Sequence, residues 1–286
     1  MARIEVRKTY KLYVGGAFPR SESGRSYEVA DTKGRFLANA ALASRKDARD
    51  AVVAARKAQP GWAGATAYNR GQVLYRVAEV MEGRRAQFAE DVQRAEGLTA
   101  RRAEAAVDAA IDRWVWYAGW SDKLAQVLGG TNPVAGPYFN FSLPEPTGVV
   151  AAIAPQDSSL LGLVSVLAPV VVSGNTCVLL AAEERPLPAI TLSEVLATSD
   201  VPGGVVNILT GRVAEVAPWL ASHMDVNAID LAGVDDPALR RELEIAAADN
   251  VKRVRRPGHV DWSADPGLER VRSFLETKTV WHPIGV

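Results

Sequence analysis

The sequence predicts an α/β fold: a doubly wound parallel sheet preceded by a run of N-terminal helices. Three observations predict it. Between residues 148 and 231, strand-like segments alternate with helix-like ones, and four such strands can be counted. Those strands are continuously apolar, as strands buried on both faces must be. Ahead of them, four amphipathic stretches follow one another between residues 44 and 120.

Taken in order, residues 11–18 (KLYVGGAF) read as a short hairpin about Gly15-Gly16, and 27–29 as a second extended piece. Ser44 is a good N-cap for a helix in which Ala48, Val52, Ala55 and Ala58 recur at helical spacing, and Pro60-Gly61 should end it. Residues 67–83 carry Val73, Leu74, Val77, Val80 and Met81 on one helical face. Helices over 85–96 and 99–120 follow, the latter with Ile111, Trp114, Val115 and Tyr117, and four helices in succession suggest a bundle laid on another layer. Gly129-Gly130 break the pattern, and 133–146 is rich in Pro, Gly and aromatic residues, with Tyr138, Phe139 and Phe141 extended. Strands are expected over 148–155, 176–180, 205–209 and 228–231, with helices over 160–172, 189–198 and 213–222 between them. Pro257-Gly258 open a polar connection, followed by a helix over 266–276 and a β-prone tail over 277–281. These breaks divide the chain into 1–131, 132–148, 149–256 and 257–286.

Composition narrows the function. With 286 residues and 48% hydrophobic content, the chain can bury a sizeable core. Lys+Arg and Asp+Glu both number 33, so no overall field draws in nucleic acid or an anionic membrane. The basic run Lys252, Arg253, Arg255 and Arg256 has no interleaved aromatics, which argues further against nucleic acid. The single cysteine leaves no intramolecular disulfide and no zinc cluster, and suits a reducing cytosol. The N-terminus has scattered charges and no apolar core, so no secretory signal is expected. The most apolar run, 160–172, is broken by Gly162, Ser165 and Pro169 and is too short to span a bilayer. The expectation is a soluble cytoplasmic protein. His223, His259 and His282 lack metal-ligand spacing, and Asp235-Asp236 and Glu183-Glu184 read as isolated acidic pairs on solvated faces.

Several motifs carry a more specific message: PTGVVAAIAPQDSSL (146–160), GNTCVLLAAEERPLPA (174–189), VPGGVVNILTG (201–211), DLAGVDD (230–236) and NVKRV (250–254). Through them the chain resembles the aldehyde dehydrogenase superfamily over most of residues 11–256. The tail FLETKTVWHPIGV (274–286) resembles the strand that ends that family's chains. More narrowly, the chain looks like the second, truncated domain of aldehyde dehydrogenases that carry two such domains. The resemblance implies a Rossmann-type sheet with N-terminal helices and a small oligomerisation β-sheet, and a catalytic domain absent between residue 256 and the tail.

The same resemblance assigns the site. Pro155, Glu183, Gly211 and Gly233 match positions that bind NAD(P) in the family. The ribose-binding Lys is replaced by Leu180, its neighbouring Pro by Ala181, and the phosphate-binding Ser by Val234; Val213 and Ala217 stand where smaller residues are usual. The oxyanion-stabilising Asn is replaced by Asp157, which exchanges a donor for a carboxylate beside developing negative charge. Asp157 also reads simply as the cap of a helix starting at Ser158. The general-base Glu falls on Pro257, and the segment of the nucleophilic Cys has no counterpart. Cys177 lies inside a strand and reads as a small buried apolar residue. The implied reading is a pseudoenzyme with no catalytic residues and either no cofactor or weak NAD(P) binding through vestigial positions. It would be a structural or regulatory subunit pairing with itself or with a full-length aldehyde dehydrogenase through 137–143 and 277–286, while 3–25 adds a strand to a neighbour. Two alternatives stand beside it: an NAD(P)-dependent aldehyde oxidoreductase with divergent catalytic residues, and an NAD-sensing module.

Overall fold

The computed structural model describes residues 7–258 and 260–285. Three strands open the chain, β1 (Thr9–Tyr10), β2 (Ser26–Ala30) and β3 (Phe36–Ala41), with β3 between the other two. β1 runs parallel to β3, with Thr9 opposite Asn39, so residues 9–10 pair within their own chain. The expected hairpin at 11–18 shrinks to one bridge, Val14 to Ala17, around Gly15 and Gly16 at φ 63° and 82°. Its outer strand is used elsewhere. Tyr13 exchanges two hydrogen bonds with Ile208, of 3.0 and 2.7 Å.

α1 (Arg45–Gly64) starts at Ser44, whose hydroxyl accepts from the Asp47 amide while the Asp47 carboxylate accepts from the Ser44 amide. It does not stop at Pro60. The buried Trp62 anchors the last turn by donating from Nε1 to the Val171 carbonyl at 2.9 Å, and this contact offsets a proline that costs about 3 kcal/mol in a free helix. α2 (Ala67–Gly83), α3 (Arg85–Glu96) and α4 (Ala100–Trp120) fall where their periodicity placed them, followed by the short α5 (Leu124–Leu128). The four long helices do not form one bundle, because α1 goes to the opposite side of the sheet from α2–α4.

After β4 (Gly130–Asn132) and β5 (Tyr138–Pro146) comes the central unit. It contains β6 (Val149–Ile153), α6 (Leu161–Val172), β7 (Thr176–Leu180), α7 (Leu187–Leu196), β8 (Val206–Leu209), α8 (Val213–Ser222), β9 (Ala228–Asp230), α9 (Pro237–Ala248) and β10 (Arg253–Arg255). The five strands are all parallel, in the order β10-β9-β6-β7-β8. Alternate residues serve two cores. Val150, Ala152, Cys177 and Leu179 face α2, α3, α4 and α6, whereas Val149, Ala151, Ile153, Val178 and Leu180 face α1, α8 and α9. The sheet is therefore doubly wound and buried on both faces, as its unbroken apolar runs required.

The last elements are α10 (Glu269–Arg272) and β11 (Leu275–Pro283). The helix expected over 266–276 is a single turn. Phe274 is buried, and its carbonyl accepts from Thr147 N at 3.2 Å and Asn175 Nδ2 at 2.8 Å, which draws the chain out of the helix and into a strand. β11 pairs antiparallel with β5 along its whole length, from Leu275 opposite Pro146 to Pro283 opposite Tyr138. β4 flanks β5 on the other side, so β11 is an edge strand. Among the described residues, no helix is long and apolar enough to cross a membrane.

Candidate functional site

In a doubly wound sheet, ligands bind beyond the carboxyl ends of the strands where the strand order reverses. Here β6 leads on to β7 on one side, and β9 returns to its other side, so the reversal lies between β6 and β9. The loops after β6, β7, β8 and β9 frame a cleft of about 540 Å³ at that point. Gln156, Asp157, Glu183, Val213, Gly233 and Val234 all line it, so the fold brings together the segments that the sequence motifs singled out.

Several of these residues already have an internal role. Pro155 is buried, and a Cβ on Gly162 in the first turn of α6 would lie 3.1 Å from its ring. The Gln156 amide ties the β6 end to the loop after β7, donating to the Ala154 carbonyl at 2.7 Å and accepting from the Glu183 amide at 2.9 Å. Asp157 is exposed at the rim and does not cap α6. That task falls to Ser158, whose hydroxyl accepts from Gly162 N, and to Glu96 on α3, whose carboxylate accepts from both the amide and the hydroxyl of Ser159 at 2.7 and 2.6 Å. Local sequence favoured Asp157; a carboxylate from a distant helix won because α3 packs directly over this turn.

Glu183 accepts from the Val213 amide at 2.9 Å through one oxygen and from Arg212 at 2.7 Å through the other. The amino end of α8, where helix polarity favours an anion, is thus already occupied by a carboxylate of the same chain. The Glu183 carbonyl accepts from Tyr27 Oη, and burial, ahead of all other influences, pushes the Tyr27 phenol well above its ordinary range. Gly211, at φ 150°, lets the β8–α8 loop meet the β3–α1 loop, where Ala43 N donates to Thr210 O at 2.9 Å. At Gly233 a Cβ would fall 1.9 Å from the Ala154 carbonyl oxygen, so two backbone segments touch there. Leu180 and Val234 are buried in the α1–α8–α9 core.

The lining also corrects the acidic pairs read as isolated. Asp157, Glu183, Glu184, Asp235 and Asp236 share the cleft with Arg185, and Glu183 is also paired with Arg212 beside it. Asp236 caps α9, accepting from Ala238 N at 2.9 Å, with Pro237 at the first helical position. A pyrophosphate in this cleft would face like charge on several sides and find both the α8 amino end and the Gln156 amide taken. The residues present do not fit a dinucleotide.

Cys177 is the second residue of β7 and has no exposed surface. Burial first, and the Asp230 charge second, push its thiol far up. Pro257 is not in the cleft. It stands beyond β10 in a separate hollow of about 760 Å³ with Arg255, Trp262 and Arg270. The connection that carries it is held down by two buried arginines that the sequence analysis did not single out. Arg113 on α4 donates to Ser165 Oγ and to the Trp262 and Ala264 carbonyls at 2.9, 2.8 and 3.0 Å, and Arg270 pairs with the fully buried Asp230. Three of the four residues of the basic run are ion-paired in place, Arg253 with Glu276, Arg255 with Glu269 and Arg256 with Glu244, while Lys252 donates to the Asn250 side chain. His223 accepts from Asp225 N, His282 lies on β11, and His259 falls outside the described residues. Among the described residues no group of His, Cys, Asp and Glu is placed to hold a metal.

The model of the aldehyde dehydrogenase family matches residues 18–255. The chain belongs to that family. It is similar to aldehyde dehydrogenase family 2 member B4 of Arabidopsis thaliana, with 34% identity over 257 residues covering 88% of this chain and 46% of the relative. It is also similar to human cytosolic 10-formyltetrahydrofolate dehydrogenase, with 32% identity covering 87% of this chain and 28% of that one. Among solved structures, an NAD+ complex of a Bacillus cereus aldehyde dehydrogenase superposes with a TM-score of 0.81 at 25% identity, covering 86% of this chain and 50% of that one. The chain thus spans half or less of each of these relatives' length.

Proposed function

We propose that this chain is a non-catalytic member of the aldehyde dehydrogenase family, a structural or regulatory subunit that pairs with a second copy of itself or with a full-length relative. The observation that carries the reading is the placement of its only thiol. Covalent aldehyde oxidation needs an accessible thiolate, and Cys177 is sealed within β7 with its thiol held protonated. The cleft supports the same reading, because its acidic lining and the engaged Glu183 and Gln156 oppose NAD(P). Asp157 at the rim offers a carboxylate where an oxyanion would need a donor. Pairing is supported by the open edge of β11, with Tyr138, Phe139 and Trp281 all exposed on that sheet.

The purified chain, incubated with short and long aldehydes and either NAD or NADP, should give no turnover above the blank. Turnover that survives Cys177→Ala would overturn the thiol argument, and turnover lost in that variant would place the nucleophile at Cys177 after all. Pairing is tested by light scattering, alone and with a co-expressed full-length aldehyde dehydrogenase from the same source. Deleting 277–286 should lower the assembly mass, and an unchanged mass would sink the pairing proposal.

A further inference from the structure

A second hollow lies on the other flank of α8, between that helix and α1. Its volume is about 650 Å³, and it shares no lining residue with the acidic cleft. Its charge is reversed. Arg45, Lys46 and Arg49 line it, with Glu22 as the one carboxylate. Glu22 is committed to Lys46 Nζ at 3.5 Å and to Ser44 Oγ at 3.2 Å, and Arg49 pairs with Asp50 outside the groove. Arg45 has no carboxylate within ion-pair distance among the described residues. Its guanidinium lies instead 4.2 Å from the centre of the Trp219 ring.

That stack is partly open. Trp219 is 40% exposed and Met224 67% exposed, unusual positions for large apolar side chains. His223 accepts from the Asp225 amide through Nδ1, which leaves Nε2 as the donor nitrogen of the neutral ring, and burial lowers the ring's affinity for a second proton. At the amino end of α1 the Ser44–Asp47 box takes the amides of Ser44 and Asp47. What remains is an aromatic and thioether wall beside a cation that lacks a counter-ion.

We propose that this groove binds a small planar aromatic anion, a ring bearing a carboxylate or phosphate. The ring lies against Trp219 and Met224, and the charged group meets Arg45. Guanidinium groups stacked on aromatics and free to form paired hydrogen bonds are suited to both oxyanions. The proposal stands independently of the non-catalytic reading.

The test is calorimetric titration of the full chain with 1-naphthoate, phenyl phosphate, uncharged 1-naphthalenemethanol and inorganic phosphate. At least one aromatic anion should bind about tenfold or more tightly than both the alcohol and inorganic phosphate, and the tighter of the two identifies the oxyanion preferred. Arg45→Gln and Trp219→Ala should each weaken that binding by about tenfold or more, the loss expected when one charged hydrogen bond or one aromatic contact goes. Arg45 is exposed, so Arg45→Gln keeps the test decisive if Trp219→Ala does not fold. Glu184→Lys in the acidic cleft should leave the affinity unchanged. Aromatic anions that bind no better than the alcohol, or an affinity indifferent to Arg45→Gln, would overturn the proposal.

Discussion

The two hollows flanking α8 are built on the same backbone framework and carry opposite charge. On the α9 side, five carboxylates surround a cleft at the reversal of strand order, and the amino end of α8 is closed by Glu183. On the α1 side, three cations and an indole line a groove at the other end of the same helix. The contrast shows that a fold's usual binding position does not decide what binds there. The glycines and prolines that shape the cleft are present, but carboxylates line it where the fold's usual ligand carries phosphates.

The largest effect on stability should come from Gly233. If that glycine is required by the backbone contact with Ala154, Gly233→Ala should lower stability by about 3 kcal/mol in urea unfolding, at the upper end of overpacking costs. An unchanged midpoint would mean that the residue serves an approaching ligand instead, and the contrast between the hollows would lose its first term.

The second test converts one hollow toward the other. Glu184 and Asp235 are exposed and cap no helix. Reversing both to Lys changes the local charge by four units and should raise NAD affinity by roughly a thousandfold at low salt, since each unit charge a few ångströms from a phosphate contributes about 1 kcal/mol in a solvated site. Calorimetry measures this directly. Affinity that does not move would show that Gln156 and Glu183, and not the acidic field, exclude the dinucleotide.

The smallest effect lies on the groove side. Burial, helped by Lys252 and Arg56 and opposed by Asp225, holds the His223 imidazole below its ordinary 6.5. The unfolded chain then takes up the proton first as pH falls, so stability declines from about pH 6.5 downward until the native imidazole titrates too. His223→Gln should make that part of the stability profile shallower. A profile of unchanged slope would remove His223 from the groove's electrostatics.

Much of the fold was legible because it rests on local pattern. α2 and α3 begin and end where their periodicity and flanking residues placed them. β6 and β7 announced a sheet covered on both faces by their unbroken apolar runs. Other elements were missed although signals were present. α9 opens with Asp236-Pro237 and continues with Leu239, Leu243 and Ala247, a cap and a helical stripe that could have been read. β10 is short, three residues reading Arg-Val-Arg, and carries no apolar run at all. It is a strand because β9 offers it a free edge.

The site divides along the same line. The residues at the candidate positions, the single cysteine and the family resemblance were all readable in the sequence, because each depends on residue type and spacing. The tertiary structure alone decided that Asp157 and the two acidic pairs meet in one cleft, that Glu96 and not Asp157 serves the α6 turn, and that Glu183 closes α8. It also decided that Trp219 and Arg45 stack across two helices. These are contacts between segments 26 to 174 residues apart. Electrostatic fields and hydrogen-bond competition depend on distance in space, which a linear pattern does not record.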